Sequence, residues 1–478
     1  MNLRNSIGAA AGLVALAPCV DAQQHLESVL ASLDAKQAHY ADVAQTIWGL
    51  AEVGFQEFAS SELLQQELRS AGFEVTAGVA GMPTAFVAEH GAGQPVIGIL
   101  AEFDALPGIT QDAVPERREL PDRAAGHACG HHLFGTGSVA AAVAIKDWLE
   151  LSGTAGTIRV YGTPAEEGGG GKVYMVREGL FADVDAVLHW HASDKNDASP
   201  VTTLANLSAK FRFRGVSSHA ARAPERGRSA LDGVEAMNYM VNLLREHVSD
   251  STRIHYAITS GGAAPNVVPD FAESYYYARH PDPQELFAVF ERILNAANGA
   301  ALGTGTTVEH EIVNGVYSVL PNLTLASVMD RNLRRVGGVH YTPAEQAFAE
   351  RLRESLPPDS PPLASAAEIR PFDRSGRVDP VSTDAGDVSW AVPTASLNTA
   401  TWVPGTAAHS WQAVAAGGTS IGAKGMLVAA KTLARTAIEL YVDADLLAAA
   451  KAEHAERIGA DFEYRPLLGD RPPALDYR

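Results

Sequence analysis

The chain has 478 residues, of which 46% are hydrophobic and 19% are charged, as is usual for a globular protein with a substantial core. That length fits two or three domains better than one. The formal net charge of −19 argues against a nucleic acid partner, because binding to phosphates needs a basic face.

The N-terminus carries the pattern of a secretory signal peptide. Arg4 is followed by an apolar stretch at about 7–17 and then by Val20-Asp21-Ala22, a small-residue cleavage pattern. We therefore predict a signal peptide at 1–22 and a periplasmic or secreted protein. An apolar N-terminal helix is the alternative interpretation.

The chain has two cysteines, Cys19 and Cys129. Cleavage after Ala22 would leave Cys129 alone, so no disulfide could form within the mature chain. Cys19 resembles a lipoprotein site only weakly, because small residues normally precede a lipidated cysteine. Beyond the N-terminus, no segment reaches the roughly 20 apolar residues that a membrane span requires.

Helical and strand-like patterns alternate through the first half of the chain. The periodicity predicts helices at 24–50, 60–71 and 135–151. It predicts strands at 84–89, 95–103, 157–161 and 186–188. The second of these strands is nearly all apolar, as in the centre of a sheet. Segments rich in metal-ligand side chains follow the last two, and sites in open α/β sheets lie beyond the carboxyl ends of strands.

The pattern changes from about residue 207. Predicted elements follow in the order strand, helix, strand, strand, helix, strand, at 208–214, 230–246, 253–259, 273–279, 283–298 and 306–313. This order is that of a ferredoxin-like split βαβ unit. The chain then returns to α/β material, with a strand at 395–401 and a closing helix at 421–441, after an exposed loop at 355–380.

We therefore predict an α/β catalytic domain with a mixed central sheet flanked by helices, interrupted by a ferredoxin-like α+β domain. The predicted units are the signal peptide at 1–22, catalytic parts at 23–206 and 319–445, the inserted domain at 207–318, and a polar C-terminal extension at 446–478.

Cys129-Gly130-His131-His132 contains one thiol and two imidazoles, which are ligands that a zinc or manganese centre uses. Cys129 and His131 are separated by one residue, so on an extended loop their side chains project to the same side. A lone cysteine is most often a small buried hydrophobe. This run is too rich in glycine and histidine for a core, so we predict a ligand role.

Glu166 and Glu167 form a second candidate cluster. Adjacent side chains leave an extended backbone in opposite directions, so one carboxylate can bind a metal while the other acts as general base. Paired glutamates on a surface helix would carry no such meaning. These two follow a predicted strand and Pro164 and precede four glycines, which allow close backbone approach.

Three further histidines lie near these segments. His189 and His191 share one face after a predicted strand, so at least one can reach the same cleft. A buried histidine bonded to backbone is the alternative, which we retain for His189. His409 ends another loop of the same half of the chain.

Six segments together resemble one family. They are 102–107, Cys129-Gly130-His131, 163–168, 215–220, 261–270 and 382–390. The chain resembles, over roughly 25–445, the aminoacylase/carboxypeptidase-type metallopeptidases (peptidase M20), in the amidohydrolase branch that includes hippurate and indole-acetyl-amino-acid hydrolases.

The resemblance implies two divalent metal ions per subunit, Mn²⁺ or Zn²⁺, with Cys129 as the bridge between them. The implied ligands are Cys129, His131, Glu167, His191 and His409. Glu166 is the implied general base. His132 stands where relatives usually have Asp or Asn, which leaves the ligand count and metal preference open.

The resemblance also implies that the inserted domain is a lid that mediates dimerisation. In the family, the histidine that matches His219 reaches the partner's active site, where it can stabilise the oxyanion or bind substrate. Asn266 and Arg279 match lid positions that can face substrate. Asp104 is predicted to orient the site; a carboxylate in a strand-end turn is the alternative.

We predict a metal-dependent amidohydrolase that cleaves the amide of N-acyl or N-aroyl amino acids, as a homodimer or with a related second subunit. One rival is a dipeptidase for β-alanyl or related dipeptides. The other is a non-catalytic metal- or peptide-binding protein, which is disfavoured because such a protein would be expected to lose Glu166 before its ligands.

Overall fold

The computed structural model describes residues 17–477. The predicted signal peptide at 1–22 falls mainly outside them and stays a prediction. The first catalytic part contains α1 (Ala17–Ala35), α2 (Gln37–Leu50), α3 (Phe58–Ser70), β1 (Glu74–Ala77), β2 (Phe86–Ala92), β3 (Val96–Ala101), β4 (Leu106–Pro107), β5 (Ala125–Gly126), α4 (His131–Ser152), β6 (Gly156–Gly162), α5 (Gly171–Arg177) and β7 (Ala186–Ser193).

The inserted unit, called the lid below, contains β8 (Ala205–Arg214), α6 (Ala230–Leu244), β9 (Arg253–Ser260), β10 (Phe271–His280), α7 (Pro283–Thr304) and β11 (Thr307–Val316). The second catalytic part contains α8 (Leu323–Val336), α9 (Pro343–Arg353), α10 (Ala385–Ala391), β12 (Thr394–Ala400), α11 (Trp411–Gly417), α12 (Ser420–Val442) and α13 (Ala444–Ile458).

A six-stranded mixed sheet forms the centre of the catalytic part, in the order β1-β2-β6-β3-β7-β12. The pairs from β6 to β12 are parallel. At one edge, β2 pairs antiparallel with β6, and β1 pairs antiparallel with β2. Every residue of β3 is buried, as its apolar sequence predicts. Helices α4 and α12 pack against each other and against this sheet. The carboxyl ends of β3, β6 and β7 therefore meet at one edge, where the site lies.

The lid is a four-stranded antiparallel sheet in the order β11-β8-β10-β9. Strand β8, the first in the chain, lies between β11, the fourth, and β10, the third, as in a ferredoxin-like unit. Helices α6 and α7 pack against this sheet around a separate apolar core. The predicted fold class is confirmed. The predicted domain boundaries stay predictions.

Several predicted elements need correction. The helix predicted at 24–50 is two helices that break at Lys36, and the helix predicted at 135–151 begins earlier, at His131. The C-terminal extension predicted as polar contains α13 and the buried Leu467 and Leu468, because it packs on both cores. Six helices have no counterpart among the predicted elements: α5, α8, α9, α10, α11 and α13.

Within the described residues, no single helix has the length and apolarity to cross a bilayer. One pair of consecutive helices, Trp411–Gly417 and Ser420–Val442, would reach that length and composition together, and the two are bent by 75°.

Candidate metal centre

Cys129 and His131 converge through a turn that leads into a helix. Gly130 has φ 76°, and His131 is the first residue of α4. A Cβ on Gly130 would lie 2.4 Å from the Cβ of Ala192, so only glycine fits this position. The extended loop predicted for these residues is therefore wrong. The left-handed turn, not strand geometry, brings the thiol and the imidazole together.

Two sets of ligand-type side chains share the Cys129 thiol. In each set the ligand atoms all lie within 4.8 Å of one another: Cys129, His131 and His191 in one, and Cys129, Glu167 and His409 in the other. Sγ of Cys129 is 3.5 Å from Nε2 of His191, and Nε2 of His409 is 3.1 Å from Oε1 of Glu167. A thiol, imidazoles and a carboxylate suit zinc or manganese, so the donor set fits two neighbouring cations. The structure thus brings together all five ligands that the resemblance implied.

Asp104 joins the two sets. Its Oδ1 lies 2.8 Å from Nδ1 of His131, and its Oδ2 accepts the backbone N–H of Glu167 at 2.9 Å. This contact orients the imidazole, whose Nε2 lies 3.1 Å from Oε2 of Glu102 and can bind a metal when it carries no proton. Asp104 has the geometry of an orienting residue.

Glu166 and Glu167 lie in a tight turn. Ala165 has φ 57°, and its carbonyl accepts the N–H groups of Gly169 and Gly170, both at 2.9 Å. The extended backbone predicted here is therefore wrong, although the two carboxylates still have different surroundings. Glu167 joins Cys129 and His409, whereas Glu166 forms a third cluster with Glu102 and His131.

The two glutamates have pKa values shifted in opposite directions. Burial raises the pKa of Glu166 well above its usual range, and the nearby carboxylates of Glu102, Glu167 and Asp384 raise it further. Burial also acts on Glu167, but the hydrogen bond from His409 and the charge of His131 outweigh it, so its pKa is lowered. Environments that separate two pKa values in this way mark an acid–base group beside a group that stays ionised.

A buried lysine forms an ion pair with Glu102, a member of the third cluster. Nζ of Lys172 lies 2.7 Å from Oε1 of Glu102 and 2.6 Å from Oδ1 of Asp384, and all three side chains are buried. Burial alone would raise the pKa of Glu102, but Lys172 and His131 bring it down to about 2. Sequence reasoning assigned no role to Lys172, Glu102 or Asp384. The local signals were the glycine-rich run before Lys172 and the family-like segments 102–107 and 382–390, which contain Glu102 and Asp384.

His132 and His189 stand outside the ligand sets of the described chain. Nε2 of His132 lies 3.1 Å from the carbonyl of Gly417, and burial lowers the pKa of His132 to about 3, so it is neutral. His189 is buried within β7, 6.2 Å from the ring of Phe134, and burial lowers its pKa to about 4. The two histidines of β7 lie within that strand, since β7 extends to Ser193, and not after it as predicted.

The three lid residues that were predicted to act at the site lie outside the ligand sets of the described residues. His219 is exposed, and its Nδ1 accepts the N–H groups of Ala221 and Arg222 at 3.2 Å each. Asn266 is exposed in a neighbouring loop, and Arg279 lies on β10, with Nη1 3.5 Å from Oγ of Ser382. None of the three belongs to the ligand sets found among residues 17–477.

A thiol shared by two ligand sets, beside a glutamate with a raised pKa at the strand ends of an α/β sheet, defines a metallohydrolase. Residues 98–410 match the family model of Peptidase family M20/M25/M40. The chain is 42% identical over 450 residues to one of the subunits of p-aminobenzoyl-glutamate hydrolase from Escherichia coli (strain K12), across 89% of this chain and 94% of that protein. It is 31% identical over 427 residues to the Xaa-Arg dipeptidase of Mus musculus, across 86% and 88% of the two chains.

Among solved structures, a dinuclear metal-binding peptidase of the M20 family from Bacillus subtilis has the same fold, with a TM-score of 0.60 at 17% identity over 86% of this chain and 99% of that one. The chain belongs to peptidase family M20/M25/M40, as the resemblance predicted, and it is a hydrolase of amide bonds.

Proposed function

We propose that this enzyme cleaves the amide bond of N-aroyl and N-acyl amino acids, with p-aminobenzoyl-glutamate as a preferred substrate. The observation that carries the proposal is the pair of ligand sets on Cys129 with Glu166 beside them. The identity of 42% to a p-aminobenzoyl-glutamate hydrolase chain supports this substrate.

Cys129, His131 and His191 would hold one divalent ion, and Cys129, Glu167 and His409 the second, either Mn²⁺ or Zn²⁺. When bound, such ions polarise a carbonyl and lower the pKa of water. Glu166 accepts the proton of the attacking water and returns it to the leaving amine. The pKa of Glu166 is raised by burial and by the neighbouring carboxylates, which favours its holding the proton before it passes to the amine.

The lid would complete the site from a second subunit. Strand β9 is an edge strand, and apolar side chains are exposed on it and on α6, namely Tyr256, Ile258, Tyr239 and Leu243. An apolar edge of this kind favours pairing with another chain. In such a dimer His219 would stabilise the oxyanion in the partner's site, and Asn266 and Arg279 would bind substrate. The partner is a second copy or a related chain, since the Escherichia coli relative is itself named as one subunit of an enzyme.

We further propose that the protein is exported, on the basis of the signal-peptide pattern at 1–22. N-terminal sequencing of mature protein from the native host should find a start at Gln23. An intact Met1 on cytosolic material would contradict export.

A substrate panel tests the function. The purified protein, loaded with Mn²⁺ or with Zn²⁺, should hydrolyse p-aminobenzoyl-glutamate faster than a dipeptide with C-terminal arginine or a β-alanyl dipeptide. A chelator should abolish the hydrolysis, and added metal should restore it. The similarity to Xaa-Arg dipeptidase makes dipeptide hydrolysis the second candidate, and faster cleavage of the dipeptides would favour it.

A further inference from the structure

The segment 459–477, called the C-terminal strap, runs from the lid to the catalytic part. At the lid, Leu467 lies in the apolar core, and Nη1 of Arg471 donates to the carbonyl of Ile312 at 2.9 Å. At the catalytic part, Leu468 joins the main core, and Nε2 of Gln56 donates to the carbonyl of Leu475 at 2.8 Å. The strap is therefore anchored on both units.

The strap reaches the turn that holds Glu167. Oη of Tyr477 donates to the backbone carbonyl of Glu167 at 3.1 Å, and the ring of Tyr477 packs edge-on against Phe55 with 5.6 Å between ring centres. A Cβ at Gly54 would lie 2.3 Å from this hydroxyl and 2.8 Å from the Cβ of Ala165. Glycine at position 54 leaves the space that the hydroxyl and the turn occupy.

The hydrogen bond of Tyr477 complements two others on the same turn. The backbone N–H of Glu167 is bound by Asp104, and the backbone N–H of Ala165 is bound by Glu57 at 2.8 Å. With Tyr477 on its carbonyl, Glu167 has a partner on each side of its α-carbon. The position of that α-carbon determines where the carboxylate of Glu167 can reach, so these hydrogen bonds to the turn help to fix the direction of the carboxylate.

We propose that Tyr477 is a positioning residue for Glu167. It acts through the backbone of the ligand, and it makes the C-terminal strap a part of the metal centre. The inference rests on the proposed role of Glu167 as a metal ligand. Outer partners of ligands typically contribute roughly 10–100-fold to metal affinity or activity.

The test compares Tyr477→Phe with Tyr317→Phe. Each variant removes one hydroxyl that donates a hydrogen bond. Tyr477 donates from the strap to Glu167, whereas Oη of Tyr317 donates to the strap, to the carbonyl of Arg465 at 3.0 Å. Both variants keep their aromatic rings, so both should fold, as circular dichroism and the unfolding midpoint of the metal-free protein would show. Mn²⁺ dissociation constants are then measured by chelator competition.

Tyr477→Phe should weaken the binding of one of the two Mn²⁺ ions about 10-fold or more, and Tyr317→Phe should weaken neither. At limiting Mn²⁺, Tyr477→Phe should lose kcat with little change in KM, and saturating Mn²⁺ should restore kcat. Wild-type affinity in Tyr477→Phe, or equal weakening in both variants, would overturn the inference. A wild-type protein that binds no Mn²⁺ or Zn²⁺ would instead overturn the proposed function.

Discussion

The metal centre and the lid loop around His219 differ in how far one chain surrounds them. The centre is largely buried, with His409 as its exposed member: Asp104 bridges His131 and Glu167, and Lys172 lies between two buried carboxylates. The loop is open: His219 is exposed, and its Nδ1 accepts two backbone N–H groups of its own turn. Buried charges need partners within the protein, whereas an exposed imidazole is free to meet a ligand or another subunit. This contrast agrees with the proposal that a second chain completes the site.

The enclosed centre is tested most strongly by Glu166→Gln. This change removes the base and keeps the shape, so kcat should fall by at least roughly 10²–10⁴-fold, while metal content stays near wild type. Glu167→Gln should instead lose metal, because a neutral amide is a weaker ligand than a carboxylate. Metal analysis and steady-state kinetics on both variants distinguish the two roles, and Glu178→Gln, at an exposed glutamate, is the control. Metal loss in Glu166→Gln and retention in Glu167→Gln would reverse the two roles.

Lys172→Met tests whether the buried charges depend on one another. The change removes the ammonium group that pairs with the buried carboxylates of Glu102 and Asp384, so the free energy of unfolding should fall by about 3–5 kcal/mol. Denaturant unfolding measures the loss. Lys451→Met is the matched control, because Lys451 is an exposed lysine whose ion pair with the half-buried Asp185 lies outside the centre, and its loss should cost about 1 kcal/mol. Equal losses in the two variants would mean that Lys172 has no special part in holding the centre.

The open loop is tested by His219→Ala. If this imidazole stabilises the oxyanion in a partner's site, kcat should fall by roughly 10²–10³-fold. Mixing His219→Ala with Glu166→Ala under subunit exchange should restore activity, since one hybrid site then holds both wild-type residues. Each variant mixed with itself is the control. Demonstrated heterodimers without recovered activity would argue that His219 acts within its own chain.

The last test concerns Asp387, which lies where the lid joins the catalytic part. Oδ2 of Asp387 accepts the N–H of Tyr317 at 3.0 Å, Oδ1 accepts the hydroxyl of Tyr464 at 2.7 Å, and burial raises the pKa of Asp387 to about 7. A carboxyl with a raised folded-state pKa stabilises the fold most at low pH. That contribution is lost as pH rises from the ordinary value of 3.8 to about 7, by up to about 1.4 kcal/mol per unit.

Asp387→Asn should remove this part of the pH dependence, so the difference in unfolding free energy between variant and wild type should change between about pH 4 and about 7 and level off above. Denaturant unfolding across this range measures it. The exposed Asp461→Asn should leave the wild-type slope intact. A constant difference between Asp387→Asn and wild type over the range would show that Asp387 does not titrate there.

Much of the fold could be predicted because its signals are local. The apolar run of β3 and the strand–helix order of the lid follow from residues that are neighbours in the chain. The backbone at the site could not be predicted in this way. The positive φ of Ala165 and Gly130 places both ligand segments in turns, where the sequence indicated extended chain.

By itself, the sequence determined the family, the fold class and the chemical types of the ligands, because these depend on short motifs and on periodicity. Only the tertiary structure decided which ligands meet. Cys129 shares one set with His191 and another with Glu167 and His409, Lys172 lies between Glu102 and Asp384, and Tyr477 reaches Glu167. These contacts join residues up to 310 positions apart in the chain, and the order of strands in the sheet and the path of the strap bring them together.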